Sequence, residues 1–125
     1  ISKKQWKVVV GHHTWRSIAG HGNAEPRLET FLNDLFKDTK PDLYMCGHDH
    51  CKSVIIKGDS TLIISGNGGE VYHGSNTKLS NMIDCKLNYF SPSLGFAILK
   101  SKKGSLDIYF YNDKGFREYT HTVKK

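Results

Sequence analysis

The sequence has no long apolar run, no internal repeat and no low-complexity tract. A helix that crosses a membrane needs about 20 consecutive apolar residues, and a secretory signal needs a shorter apolar segment near its start. Neither pattern occurs in these 125 residues, so the sequence predicts no membrane partner. The length fits a single domain over residues 1–125, with enough chain to bury a core.

Cysteine is scarce, and the three cysteines leave one unpaired in any disulfide scheme. Cys46 lies in an apolar run and is expected to be a small buried side chain. Cys51 has two candidate partners, Cys85 and a cysteine outside this sequence. The order Cys46, His48, His50, Cys51 also suggests a closed zinc site, but such sites usually take closely spaced cysteine pairs from two loops. We therefore do not expect structural zinc here.

Acidic residues are fewer than basic ones, because 12 Asp and Glu stand against 18 Lys and Arg, for a net charge of +6. A basic surface attracts phosphate-bearing molecules, including nucleic acids. The lysines are scattered in small groups, without an arginine-rich stripe or interleaved aromatic residues. This distribution favours an ordinary solvated surface and predicts no nucleic-acid partner.

The stretch from Asp42 to His50 has the densest set of metal-binding side chains in the chain. Its apolar run, Leu43–Cys46, predicts a buried strand that stops at Gly47. Glycine at that point lets the backbone approach a neighbour closely. If the backbone is extended across His48 and His50, both imidazoles project from the same side of the strand end. Such a pair can offer one nitrogen to each of two adjacent metal ions.

A second strand that ends in histidine is predicted upstream, from Trp6 to Val10, with His12 just beyond it. Its apolar character predicts burial on both faces. A helix is predicted between the two strands, with Asn23 as its cap and Pro41 as its stop. Its core face consists of apolar residues at helical spacing: Leu28, Phe31, Leu32, Leu35 and Phe36. Strands joined in this way run parallel, so both sets of histidines are expected at the edge of the sheet where ligands bind.

The rest of the chain predicts antiparallel strands. A hairpin is predicted from Ser53–Ile56 and Thr61–Ile64, followed by a glycine-rich loop at residues 65–69. Residues 71–89 show no clear period and predict an irregular segment. A meander is predicted from three further strands: Phe96–Leu99, Leu106–Tyr111 and Phe116–Val123.

Two of these motifs resemble the last two motifs of the calcineurin-like metallophosphoesterases: Val-x-Gly-His after one strand and Gly-His-Asp-His after a later one. Residues 11–22 are closer to one branch, the purple acid phosphatases of the tartrate-resistant acid phosphatase type. The similarity continues through residues 65–69 and 93–97 and covers nearly the whole chain. The resemblance implies the C-terminal half of a four-layer α/β/β/α sandwich, with one β-α-β unit followed by antiparallel strands. It also implies an N-terminal half, with Asp and Asn-His motifs that this sequence does not contain.

The resemblance further implies two divalent or trivalent metal ions, iron with iron, zinc or manganese. His12 and His48 are expected to bind one ion, and His50 is expected to bind the other. His21 matches a histidine that contacts the phosphate and helps to protonate the leaving alcohol.

Three more residues have implied roles around this centre. His13 and Asn67 are candidate substrate-binding residues, and His13 stands where the branch often has tyrosine. Asp49 is expected either to orient a ligating ring or to face solvent.

The implied function is metal-dependent hydrolysis of phosphate monoesters, with the N-terminal half required for full activity. The alternative is a truncated or non-catalytic module that binds metal weakly or mediates interactions. Relatives of this kind are commonly secreted or lysosomal, so the resemblance favours a secretory or endomembrane location.

Overall fold

The computed structural model describes residues 6–71 and 77–125. Within those ranges the chain forms one α-helix, one 3₁₀ turn and eight strands. In chain order these are β1 (Val8–Val10), α1 (Pro26–Thr39), β2 (Leu43–Cys46), β3 (Lys52–Lys57), β4 (Ser60–Ser65), the 3₁₀ turn (Leu79–Asn81), β5 (Lys86–Ser91), β6 (Gly95–Lys102), β7 (Ser105–Asn112) and β8 (Arg117–Lys124).

The first sheet has five strands in the order β1-β2-β4-β3-β5. β1, β2 and β4 run parallel, with Val9 opposite Tyr44 and Tyr44 opposite Leu62. β3 is antiparallel to β4 and forms the predicted hairpin with it. The predicted strand-helix-strand unit is confirmed, and its two strands are direct neighbours in the sheet. Their carboxyl ends therefore meet at one edge.

Helix α1 covers one face of this sheet. Leu32 and Phe36 are buried in the core beneath it. Phe31 is 60% exposed, so the prediction that it packs is wrong, because the stripe through Leu32 and Phe36 leaves it at the outer edge. The predicted cap is also wrong, since Glu25 holds the N-cap position while the Asn23 side chain binds the loop before the helix.

The second sheet is the meander β6-β7-β8, which packs on the opposite face of the first sheet. As predicted, Leu106, Ile108 and Phe110 form the buried apolar face of β7, but Asp107 between them is buried as well. They pack against one buried residue from each of three strands of the first sheet: Leu43, Val54 and Ile63. The helix, the five-stranded sheet and the three-stranded sheet thus form three layers, which is the mixed α/β class that the sequence predicts.

Strand β5 was not predicted by the sequence. Of the segment expected to be irregular, residues 72–76 lie outside the described part of the chain. Residues 86–89 belong to β5, which corrects the prediction for them. β5 pairs with β3, and the register shifts where Ile55 faces Leu87 and Val54 faces Tyr89. The extra residue, Asn88, breaks the alternation by which a strand is recognised.

Strand β1 is shorter and more exposed than its apolar sequence predicts. Among the described strands it pairs only with β2, at the edge of the sheet. Val8 is 39% exposed and Val10 is 75% exposed, so the predicted burial on both faces is wrong for this chain. Only Val9, which points to the helix side, packs against the core.

All three cysteines are free thiols. Cys46 is buried, as predicted, and its thiol donates to the Ile63 carbonyl at 3.6 Å. Cys51 is also buried, and no disulfide joins it to Cys85, which corrects that candidate pairing. Burial raises the pKa of Cys46 to about 12 and also raises the pKa of Cys51. Both thiols are therefore protonated and unreactive near neutral pH.

Candidate metal centre

The ends of β1 and β2 continue to pair beyond the strands themselves. The Gly11 N–H donates to the Met45 carbonyl at 2.9 Å, and the Gly47 N–H donates to the His12 carbonyl at 3.2 Å. These bonds hold the two following loops side by side. Nδ1 of His48 consequently lies 3.1 Å from Nε2 of His12, so the structure brings together two of the three predicted metal ligands.

His13 belongs to the same group. The ligand nitrogens of His12, His13 and His48 all lie within 4.8 Å of one another. The Tyr44 hydroxyl donates a hydrogen bond of 2.6 Å to the His13 carbonyl and fixes this part of the loop. The rings of His12 and His13 are exposed and that of His48 is partly so, which leaves the group accessible from solvent.

The backbone at His48 departs from the extended conformation on which the His-x-His prediction depends. Its φ is 64°, in the left-handed region that residues other than glycine seldom adopt. The condition for the predicted common projection of His48 and His50, an extended backbone across residues 48–50, is therefore not met at His48. His50 accordingly lies outside the group formed by the other three histidines. Its role as a ligand of a second ion stays a prediction.

The glycine-rich loop packs against the backbone of this turn. A Cβ at Gly66 would lie 2.0 Å from the Asp49 carbonyl oxygen, so only glycine fits there. The Gly66 N–H also donates to the Cys51 carbonyl at 3.0 Å. A Cβ at Gly47 would meet its nearest neighbour at 3.8 Å, which is an ordinary contact. The close approach predicted at Gly47 is therefore made at Gly66 instead.

His21 reaches the group from the loop after β1. Its ring stacks on the ring of His48, with 3.8 Å between centroids and 28° between planes. The His21 N–H donates to one oxygen of Asp49 at 2.8 Å, and the Ser17 hydroxyl donates to the other. Asp49 is 0% exposed, which excludes the expectation that it faces solvent. It ties the loop that carries His21 to the loop that carries His48.

Arg16 anchors the His21 loop to the body of the domain, and the sequence did not single it out. Its guanidinium donates to Glu29 at 2.6 and 2.7 Å and to Asp84 at 2.9 and 2.8 Å. Hydrogen bonds from Arg16 are the main reason that the pKa of each carboxyl lies below its ordinary value. The partners lie 13 and 68 residues away in sequence, so no local pattern indicates them.

The electrostatic surroundings of His48 favour the neutral ring. Burial lowers its pKa most, and the nearby His21, His13 and His12 lower it further, while Asp49 acts in the opposite direction. Neutral imidazole is the form that binds a metal ion. A set of imidazole ligands suits zinc, copper, iron and nickel, so these residues fit the kind of ion that the sequence predicts.

A cleft of about 430 Å³ opens beside the histidines. Its lining includes His13, His21 and His48, together with Glu25 and Leu28 at the start of α1. Its volume lies in the range of small-molecule sites, about 300–1,000 Å³. The cleft can therefore hold a small ligand against the imidazoles.

Asn67 is not among the residues that line this cleft. Its side chain is fully buried, and its amide nitrogen donates to the Ser93 carbonyl. Its backbone carbonyl accepts from the Gly95 N–H at 3.2 Å. The contacts described for Asn67 join the glycine-rich loop to the start of β6, and a role in substrate binding stays a prediction.

Comparison with known proteins finds a family model and relatives that resemble the chain. Residues 1–52, which include both strand ends and their histidines, match the family model for calcineurin-like phosphoesterases. Over 116 residues the chain is 34% identical to Purple acid phosphatase 4 of Arabidopsis thaliana, covering 91% of this chain and 33% of that protein. The chain is thus similar to the calcineurin-like phosphoesterases over residues 1–52 and to a purple acid phosphatase over most of its length.

Two solved structures have a fold similar to that of this chain. GAP50, named as the anchor in the inner membrane complex of Plasmodium, is 28% identical with a TM-score of 0.82, over 95% of this chain and 36% of that one. A purple acid phosphatase from yellow lupin (Lupinus luteus) gives a TM-score of 0.78 over 95% of this chain and 25% of that one. Its identity of 17% makes it evidence for the fold alone. The chain spans about a third of the length of the curated phosphatases it matches.

Proposed function

We propose that these residues supply the histidine side of a dinuclear metallophosphoesterase centre that hydrolyses phosphate monoesters. The family is one of metal-dependent phosphoesterases, and the relatives include purple acid phosphatases. The observation that carries the proposal is the meeting of His12, His48 and His21 beside an open cleft. They meet at the carboxyl ends of neighbouring parallel strands, where α/β folds bind their ligands.

The proposed ligands divide between two ions. His12 and His48 would hold one ion and His50 the other, with further ligands from a segment outside these residues. Iron paired with iron, zinc or manganese suits the purple acid phosphatase relatives. Such ions, when bound, polarise the phosphoryl oxygens and lower the pKa of a bound water.

In this proposal His21 acts on the leaving group. Its ring borders the cleft, stacked on His48, while Asp49 holds its backbone. A protonated imidazole in this position can donate a hydrogen bond to the phosphoryl group and pass its proton to the departing alkoxide. Ala24 and Leu28, which also line the cleft, would offer apolar surface to the alcohol portion of the ester.

Substitutions in the full-length protein that contains these residues separate metal binding from proton transfer. His12→Ala and His48→Ala should lower both metal content and turnover, because each removes a ligand nitrogen. His21→Ala should keep the metal content and reduce turnover of alkyl phosphates by about 10²–10⁴-fold. The loss should be smaller for nitrophenyl phosphate, whose leaving group needs little protonation. Loss of metal in His21→Ala, or equal losses on both esters, would remove the acid role.

A second candidate function is a non-catalytic interaction module. It is supported by the likeness to GAP50, whose name describes an anchor in the inner membrane complex of Plasmodium. The edge strand β1, with Val10 75% exposed, presents a place where another segment can add a strand. A folded full-length protein without phosphatase activity would favour this candidate.

The proposed setting follows the family resemblance. We assign residues 1–125 to the C-terminal part of a longer phosphoesterase domain, which the greater length of the relatives supports. A secretory or lysosomal location is the compartment proposed on the same basis. Within residues 6–71 and 77–125, no helix has the length and apolar character needed to cross a membrane.

A further inference from the structure

We propose that His12, His13 and His48 bind a single transition-metal ion in the 125-residue chain, with His13 rather than His50 as the third ligand. The site shares two histidines with the proposed dinuclear centre, but it does not depend on any hydrolytic activity. Zinc is the expected ion, because three imidazoles with an open fourth position are a recurrent zinc arrangement.

The distances between ring nitrogens suit such an ion. Zinc lies about 2.0–2.1 Å from imidazole nitrogens, so two ligands at tetrahedral corners are about 3.3–3.4 Å apart. Nε2 of His12 and Nδ1 of His48 are already 3.1 Å apart. No pair in the group is separated by more than 4.8 Å. Small rotations about the side-chain torsions of exposed histidines can close that difference.

The backbone that carries the three rings is fixed, which lowers the cost of assembling the site. The His12 carbonyl accepts a hydrogen bond from the Gly47 N–H, and the His13 carbonyl accepts one from the Tyr44 hydroxyl. The ring centroid of His13 lies 5.0 Å from that of His12 and 4.7 Å from that of His48. Binding therefore requires movement of rings only, and such preorganisation favours affinity.

The conformation at His48 explains why His13 replaces His50 in this set. The left-handed φ of 64° redirects the chain after His48, and His50 falls outside the group of nitrogens. In the dinuclear centre His50 serves the second ion, and His13 contacts the substrate. The two assignments therefore make opposite predictions for metal binding by His13 and His50 variants.

Calorimetric titration of the 125-residue chain with zinc tests the site. We expect saturable binding of one ion per chain. His13→Ala should weaken the affinity by at least about tenfold, since loss of even an outer partner of a ligand costs 10–100-fold. His121→Ala, on β8 of the second sheet, is the matched control and should leave the affinity unchanged. His50→Ala separates this site from the dinuclear centre, because it should cost less affinity than His13→Ala. Alanine at position 13 keeps the backbone carbonyl to which Tyr44 donates, so the loop keeps this anchor.

Nitrogen-15 spectra of the histidine rings give a readout that is independent of affinity. Zinc should shift the ring nitrogens of His12, His13 and His48 and leave those of His50 in place. Wild-type affinity in His13→Ala, an equal loss in His50→Ala, two ions per chain or no saturable binding would each overturn the inference. Failure of the full-length protein to hydrolyse phosphate esters would instead count against the proposed function alone.

Discussion

Two regions of the molecule depend on buried polar side chains, and they use them differently. At the histidine end (residues 11–24 and 47–50), buried Asp49 and Arg16 hold loops whose imidazoles face solvent. At the sheet junction (Lys52, Asn67, residues 93–95 and Glu118), the Lys52 ammonium is fully buried and lies 3.0 Å from the Glu118 carboxylate. The first region presents reactive groups, whereas the second joins two layers.

The junction shows that a buried charge need not mark a functional site. The Lys52 ammonium also donates to the carbonyl oxygens of Leu94 and Tyr111, at 3.2 and 3.4 Å. A Cβ at Gly95 would lie 2.5 Å from that ammonium nitrogen, so the second sheet closes directly over it. All of these contacts lie between β3 and the second sheet. The histidine end differs in one respect. There a buried side chain, Asp49, holds the backbone of a residue with an exposed imidazole, His21.

Removing the charge at the junction should give the largest effect on stability. Lys52→Met removes the buried ammonium and leaves the Glu118 carboxylate with only its hydrogen bonds from the Tyr89 and Ser93 hydroxyls. Breaking a buried pair costs about 3–5 kcal/mol of unfolding free energy. Urea unfolding measures the loss, and the histidine ring spectra should not change. Lys86→Met, on an exposed position of β5, is the control and should stay within about 0.5 kcal/mol. Wild-type stability in Lys52→Met would show that the junction does not depend on this ion pair.

A smaller loss of stability, joined to a change at the site, is expected from Asp49→Asn. The carboxylate accepts from both Ser17 and His21, whereas an amide turns one of its two ends into a donor. An unsatisfied buried group costs about 1–3 kcal/mol. The His21 ring should also lose its stacked position on His48, which its proton chemical shifts report. Asp59→Asn, in the exposed β3-β4 turn, should change neither quantity.

An unchanged His21 spectrum in Asp49→Asn would contradict the role assigned to Asp49. It would place that residue with Lys52, as a group that stabilises the fold without positioning an imidazole. The histidine end and the sheet junction would then use their buried polar side chains in the same way.

The sequence predicts the elements that local patterns define, and it misses those that distant contacts define. β2, the hairpin and the meander follow from apolar runs and alternation, so their prediction succeeded. The left-handed turn at His48 depends on Gly66, which lies beneath Asp49 only after β4 has paired with β2. Arg16 joins carboxylates from two separate segments, and nothing near it in sequence reveals them.

The Arg16 network should make stability depend on pH. The pKa values of Glu29 and Asp84 are below their ordinary values of 4.5 and 3.8, so the native state binds fewer protons than the unfolded state. Their contribution is complete above pH 4.5 and is lost as the pH falls through 4.5 and 3.8 towards the folded values. Arg16→Gln should flatten this part of the pH dependence of the urea midpoint. An unaltered slope in that variant would contradict the pairing.

The smallest effect is expected at the edge strand. Val10 is 75% exposed, and threonine keeps the β-branched shape, so Val10→Thr should change the unfolding free energy by no more than about 0.5 kcal/mol. Light scattering should show less self-association of the 125-residue chain, because a less apolar edge is a poorer template for pairing. Val54→Thr places the same hydroxyl in the core and should cost about 1–3 kcal/mol. Equal losses of unfolding free energy in Val10→Thr and Val54→Thr would mean that the Val10 side chain is buried against another segment.

The most direct test of the central claim compares phosphatase activity in two forms of the protein. Nitrophenyl phosphate hydrolysis is measured for the full-length protein, for its His48→Ala variant and for the 125-residue chain alone. We predict metal-dependent turnover by the full-length protein, its loss in His48→Ala and on chelation, and negligible turnover by the 125-residue chain, whose histidine group contains no carboxylate to bridge two ions. Comparable turnover by the 125-residue chain, or a full-length protein that binds metal without hydrolysing the ester, would contradict the account.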